Sequence, residues 1–226
     1  MSIDLLSLFL YASKSFLLVL ATLLPILNPA ATAPIFLGLT EGASDDTRRV
    51  LARRITTNMV LLITGAMLVG SYVLAMFGIS LPIVRVAGGT IIAANAWRLL
   101  AVSPSARDSR QSLAEAFTPE MARTHAFYPL TFPISCGPGS VAAAITIGVT
   151  LHEERLALSL ARFAGGFGGV VVIGLVMFVA FRYATQLLKP LGETGTTVFL
   201  RLSAFILLCL GVQIVWDGLS ELLRSL

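Results

Sequence analysis

The sequence predicts an all-α, polytopic membrane protein with six transmembrane helices in two inverted three-helix repeats. The first and fourth helices are broken mid-membrane. Three observations carry this. Of the 226 residues 56% are hydrophobic and only 12% charged, about half the charge fraction of a soluble domain, and the mean hydropathy is +0.88. The apolar residues fall into six runs of about the 20 residues that a bilayer core requires. Two of these runs are interrupted at corresponding places by prolines, from Pro25 to Pro34 and from Pro129 to Pro138.

The first run extends from Ser15 to Thr40, between Lys14 and the charged loop that begins at Glu41. Met1-Ser2-Ile3-Asp4 lacks the basic start of a cleavable leader, so this run is expected to stay as a span. Residues 1–13 form a short interfacial helix or an extension of it. The second run covers Ile55 to Phe77, the third Leu81 to Trp97, the fourth Ala126 to Leu151, the fifth Arg162 to Arg182, and the sixth Thr196 to Asp217. Residues 1–102 form one repeat and 126–226 the other, joined by a polar cytoplasmic linker over 103–125.

Aligning Asn28-Pro29 with Gly137-Pro138 brings Arg85-Val86-Ala87-Gly88 near Arg201-Leu202-Ser203-Ala204. With three spans in each half, the second half inserts upside down, as in many secondary transporters. Orientation follows the basic residues. Arg48, Arg49, Arg53, Arg54, Arg98, Arg107, Arg110, Arg123, Arg182 and Lys189 fall on one side, against Lys14, Arg155, Arg162 and Arg224 on the other. Both termini are therefore expected in the periplasm.

Proline in a helix interior costs about 3 kcal/mol and frees carbonyls that hydrocarbon cannot solvate. Such breaks belong beside protein or a wet cavity. Asn28 and Gly137 are plausible N-caps, each followed by a proline at the first helical position. Each restarted helix presents unpaired amides and about half a positive charge, which suits a carboxylate. The incoming halves end in carbonyls that Pro29 and Pro138 cannot satisfy, which suits an ammonium group, a small cation or water. Ala30, Ala31, Gly137, Gly139 and Ser140 leave little bulk nearby. A small zwitterion fits both requirements.

The stretches Asn28 to Thr40 (Asn-Pro-x-x-x-x-Pro-x-Phe-Leu-x-Leu-Thr) and Phe127 to Ser140 (Phe-Tyr-Pro-Leu-Thr-Phe-Pro-x-x-x-Gly-Pro-Gly-Ser) resemble the paired signatures of the MarC family of bacterial and archaeal membrane proteins. The resemblance covers nearly the whole chain. It implies transport of small neutral amino acids such as glycine and alanine across the inner membrane. At Ala31 and Thr32 this chain departs from the Gly and Asn that the family pattern often carries, which leaves a substrate less room at Ala31.

The expected substrate-binding set is Asn28, Pro29, Ala30 and Ala31 with Gly137, Pro138, Gly139 and Ser140, joined by Arg85 and Arg201. The two arginines either snorkel to an interface or turn inward to a carboxylate; the family resemblance favours the second. Asn95 and Gln213 are expected as interhelical hydrogen-bond partners, and Gly165, Gly166, Gly168 and Gly169 as a close-packing surface. No enzymatic constellation, metal set or cofactor motif is visible. His125 and His152 fall at opposite faces, and Ser140 has no base at its depth. No dense basic run with aromatics suggests nucleic acid. The mid-membrane segments hold no Asp or Glu, so the coupling ion, H+ or Na+, is not specified. A channel or a membrane scaffold is the alternative.

Overall fold

A computed structural model describes residues 5–40, 43–101 and 126–224, and the stretch expected as a linker, 103–125, lies outside the described residues. All the regular structure among them is helical. Helix α1 (Leu5–Leu27) starts well before Lys14, so residues from Leu5 onward extend the first span. Its 23 residues make about 34 Å at 1.5 Å per residue. Asn28 interrupts the helix and α2 (Pro29–Leu39) restarts it. Helix α3 (Asp45–Met76) is capped by Ser44, whose hydroxyl accepts the Thr47 amide at 3.2 Å. Asp45 and Asp46 in its first turn complement the positive end of the helix. Helix α4 runs over Leu81–Ala101.

The fourth span begins with wide, π-helical turns over Ala126–Ser135. Tyr128 (φ −116°, ψ 126°) and Phe132 (φ −115°, ψ 124°) leave the helical region, since each precedes a proline. After Cys136 and Gly137 comes α5 (Pro138–Thr150), bent by 72° from the preceding turns. Helix α6 (Leu156–Arg182), the short α7 (Ala184–Leu188), one 3-10 turn (Lys189–Leu191) and α8 (Gly192–Arg224) complete the chain.

Helices α1, α3, α4, α6 and α8 are each long and apolar enough to cross a membrane, and the bent pair of Ala126–Ser135 with α5 makes up to six. Helix α4 packs along α8, α1 along α6, and α3 against both α5 and α6. With apolar residues on every side, these helices gain little from the hydrophobic effect against lipid and associate by close packing instead. Glycines make it possible. A side chain at Gly165 would run into the backbone of Ala12, and one at Gly148 into that of Met67. One at Gly211 would meet the Ala93 amide at 2.6 Å. Gly165, Gly166 and Gly169 thus form the packing face expected of them, while Gly168 has room for a side chain beside Phe16. Val19, Leu23, Ile55, Met59, Ile173 and Met177 fill the interior, while Leu61, Val69, Leu175 and Leu202 point outward.

Candidate functional site

Asn28 ends one helix and starts the next. Its amide donates to the Leu24 carbonyl at 3.0 Å, closing α1. Its own carbonyl accepts the Thr32 amide and hydroxyl, both at 3.0 Å, and its side-chain oxygen accepts the Ala31 amide at 3.1 Å. Between these roles the backbone turns left-handed, at φ 46° and ψ 70°. Asparagine tolerates that conformation better than other non-glycine residues. Pro29 then occupies a first helical position, where no amide is needed.

Gly137 does the same at the second break without a side chain. Extended at φ −81° and ψ 177°, it accepts the Ser140 amide at 3.0 Å and the Val141 amide at 3.2 Å. Upstream, the widened turns let two hydroxyls and an amide each reach back five residues. Thr131 donates to the Ala126 carbonyl at 2.6 Å, Ser135 to that of Leu130 at 2.7 Å, and the Cys136 amide to that of Thr131 at 2.8 Å. Among the described residues, the amides of Ala30 and Gly139 donate to no backbone acceptor across either junction.

Both breaks open on one cavity of about 430 Å³. Of the residues expected from sequence, Asn28, Ala31, Gly137, Gly139 and Ser140 line it, and Pro29, Ala30 and Pro138 head the helices that border it. The sequence reading missed Thr32, Asn95, Arg98 and Ser135 in the lining. Arg98 is its only charged lining side chain among the described residues, so the cavity favours the negative end of a solute. A signal for Asn95 and Arg98 was available. They lie three residues apart and three and six beyond Ile92, so they share one face of α4.

The two expected arginines are not here. Arg85 lies in a second cavity of about 400 Å³ and is paired with Glu221 of α8, while Arg201 is exposed on α8 and lines neither cavity. Gln213 bonds Asp217 of its own helix at 2.8 Å, not a neighbouring helix. The two cavities share Gly139, where α4 crosses the start of α5. A side chain on Gly88 there would strike Ala142, and one on Gly139 would strike Ile92. Among the described residues, no three His, Cys, Asp or Glu side chains gather as metal ligands would.

No solved structure matches the chain. An inner membrane protein MarC of Escherichia coli is 29% identical over 208 residues, covering 91% of this chain and 94% of that protein. Its counterpart in Shigella flexneri is 28% identical with the same coverage. The family described as MarC family integral membrane protein matches residues 13–223. With helices apolar enough for multiple crossings and relatives named for the inner membrane, the chain is a multi-pass inner-membrane protein and belongs to the MarC family.

Proposed function

We propose that this protein is a secondary transporter of small neutral amino acids, of the glycine and alanine type, working by alternating access. The observation that carries the proposal is the pair of proline-led helix starts, at Asn28 and Gly137, that border one small cavity. Their free first-turn amides, with Arg98 across the cavity, suit a carboxylate. Ala31 in the wall, where a glycine would leave more room, favours a small side chain.

Two inverted repeats fit the packing. Exchanging α1 with the fourth span, α3 with α6 and α4 with α8 maps the contacts α3–α6 and α4–α8 onto themselves. It also maps α1–α6 onto the contact of α3 with the fourth span. A mid-membrane position for the first break fits the charges along α1 and α2. Lys14, the Tyr11 ring and the Arg162–Glu153 pair (2.6 Å) cluster at one level. Asn28 is 14 residues beyond Lys14, about 21 Å along a helix, and about 18 Å before Thr40, whose carbonyl Arg48 caps at 3.1 Å. On the basic-residue count both termini face the periplasm. Coupling to H+ or Na+ remains part of the proposal without an assigned ligand, and the protein is no enzyme.

Counterflow in proteoliposomes tests the proposal. Vesicles preloaded with unlabelled alanine should transiently accumulate labelled alanine above equilibrium. Conductive flux without counterflow would replace the transporter by a channel, and absence of any flux would leave a scaffold.

A further inference from the structure

The second cavity has features the break site lacks. It lies between α1, α4, α5 and α8 and holds charges of both signs. The geometry points to a second site for a small zwitterion, in which Arg85 receives the carboxylate and Asp217 the ammonium group. This rests on the amino-acid transport proposed above.

Arg85 projects from α4, its side chain only 21% exposed and paired with Glu221. Asp217 stands one turn before Glu221 on the same face of α8 and lines the cavity itself. It is held by the Gln213 amide at 2.8 Å, which leaves its second oxygen for a ligand. Between the charges the wall is spare. Leu18, Ala142, Ile147 and Ile214 are apolar, Thr22 offers one hydroxyl, and the hydroxyls of Thr146 and Thr150 are spent on the carbonyls of Ala142 (3.0 Å) and Ile147 (2.7 Å). A ligand there needs one anionic end, one cationic end and a small apolar side chain. A sugar would find too few neutral donors, and a plain anion would face Asp217.

Glu221 completes the device. Its side chain is 49% exposed, so water takes it up when it leaves the guanidinium. A ligand carboxylate can then take the same planar fork, and Arg85 is never left without a partner. Position supports the assignment as well. The two cavities share Gly139, where Gly88 packs on Ala142 and Gly139 on Ile92. A solute released from the breaks toward Arg85 would enter this chamber next.

Equilibrium binding of labelled alanine to the purified full-length protein tests it. The wild type should bind two alanines per chain. Arg85→Gln and Asp217→Asn should each weaken one class ten- to a hundredfold and keep the other, which also shows that the variants are folded. Glu221→Gln should retain both classes and strengthen the weakened one severalfold, because Arg85 loses its competitor; a merely structural ion pair would make it behave like Arg85→Gln. A single class in the wild type, untouched by Arg85→Gln and Asp217→Asn, would overturn the second site and leave the transport proposal standing. No binding at all would overturn both.

Discussion

Replacing Asn28 by alanine and by glycine separates the two duties of that residue. Alanine loses the side-chain acceptor that holds the Ala31 amide at 3.1 Å and must also adopt φ 46°. The first loss is worth about 1 kcal/mol and the left-handed backbone about 1–2 kcal/mol, so Asn28→Ala should cost about 2–3 kcal/mol. Glycine takes the same backbone without strain, and losing the cap to glycine costs only a few tenths of a kcal/mol. In a chain of this size 1 kcal/mol moves the unfolding midpoint by about 2–4 °C, which puts Asn28→Ala roughly 4–12 °C below the wild type and Asn28→Gly about 1 °C below it. The assay is the midpoint for loss of the monodisperse peak on heating in detergent, at one fixed rate. Alanine counterflow on the same preparations should fall in both variants, since the Ala31 amide is no longer fixed at the cavity wall. Equal midpoints for the two variants would refute the left-handed strain, and unchanged counterflow in both would remove the break from the site.

Four further outcomes follow from the same geometry. Gly139→Val drives its side chain into Ile92 and its first carbon to within 3.1 Å of the Gly88 carbonyl, so it should lower the unfolding midpoint and the uptake of both alanine and glycine. Gly165→Leu drives its side chain into the Ala12 backbone and should cost at least the 1–3 kcal/mol typical of overpacking, read as a lower unfolding midpoint. Arg201→Ala, exposed and outside both cavities, should keep uptake and stability, the latter within about 0.5 kcal/mol, contrary to what its alignment with Arg85 suggests. A reporter active only in the periplasm should work when fused to the C-terminus, and a dark fusion would overturn the charge-based orientation.

The two helix starts were legible because their chemistry is local. Asn28-Pro29 and Gly137-Pro138 announce a cap and a first helical residue within two positions, and helices begin at Pro29 and Pro138. The packing glycines of α6 were legible for the same reason, since a run of residues without side chains serves close approach. What each helix turns inward was not. A span apolar on every side gives no periodic signal, because lipid and protein interior look alike to it. Arg98, at the end of the third span, therefore counted only as a basic loop residue, although it lines the break cavity. Arg85 meets Glu221, 136 positions away, through an antiparallel pairing of α4 and α8 that no local motif encodes. The wide turns over Ala126–Ser135 were hidden too, since two prolines four apart suggest a kink but not a register in which hydroxyls and an amide reach five residues back.

The central claim is that helix-start amides at the two breaks recognise a carboxylate, and competition tests it most directly. Labelled alanine uptake into proteoliposomes is measured against unlabelled glycine, alaninamide and ethylamine at equal concentrations. Losing a charge-assisted hydrogen bond costs about 1.5–3 kcal/mol, or about ten- to a hundredfold in affinity. Glycine should therefore compete, and the amide and the amine, which lack the carboxylate, should not. Competition by ethylamine equal to that of glycine would contradict the account and reduce the breaks at Asn28 and Gly137 to hinges.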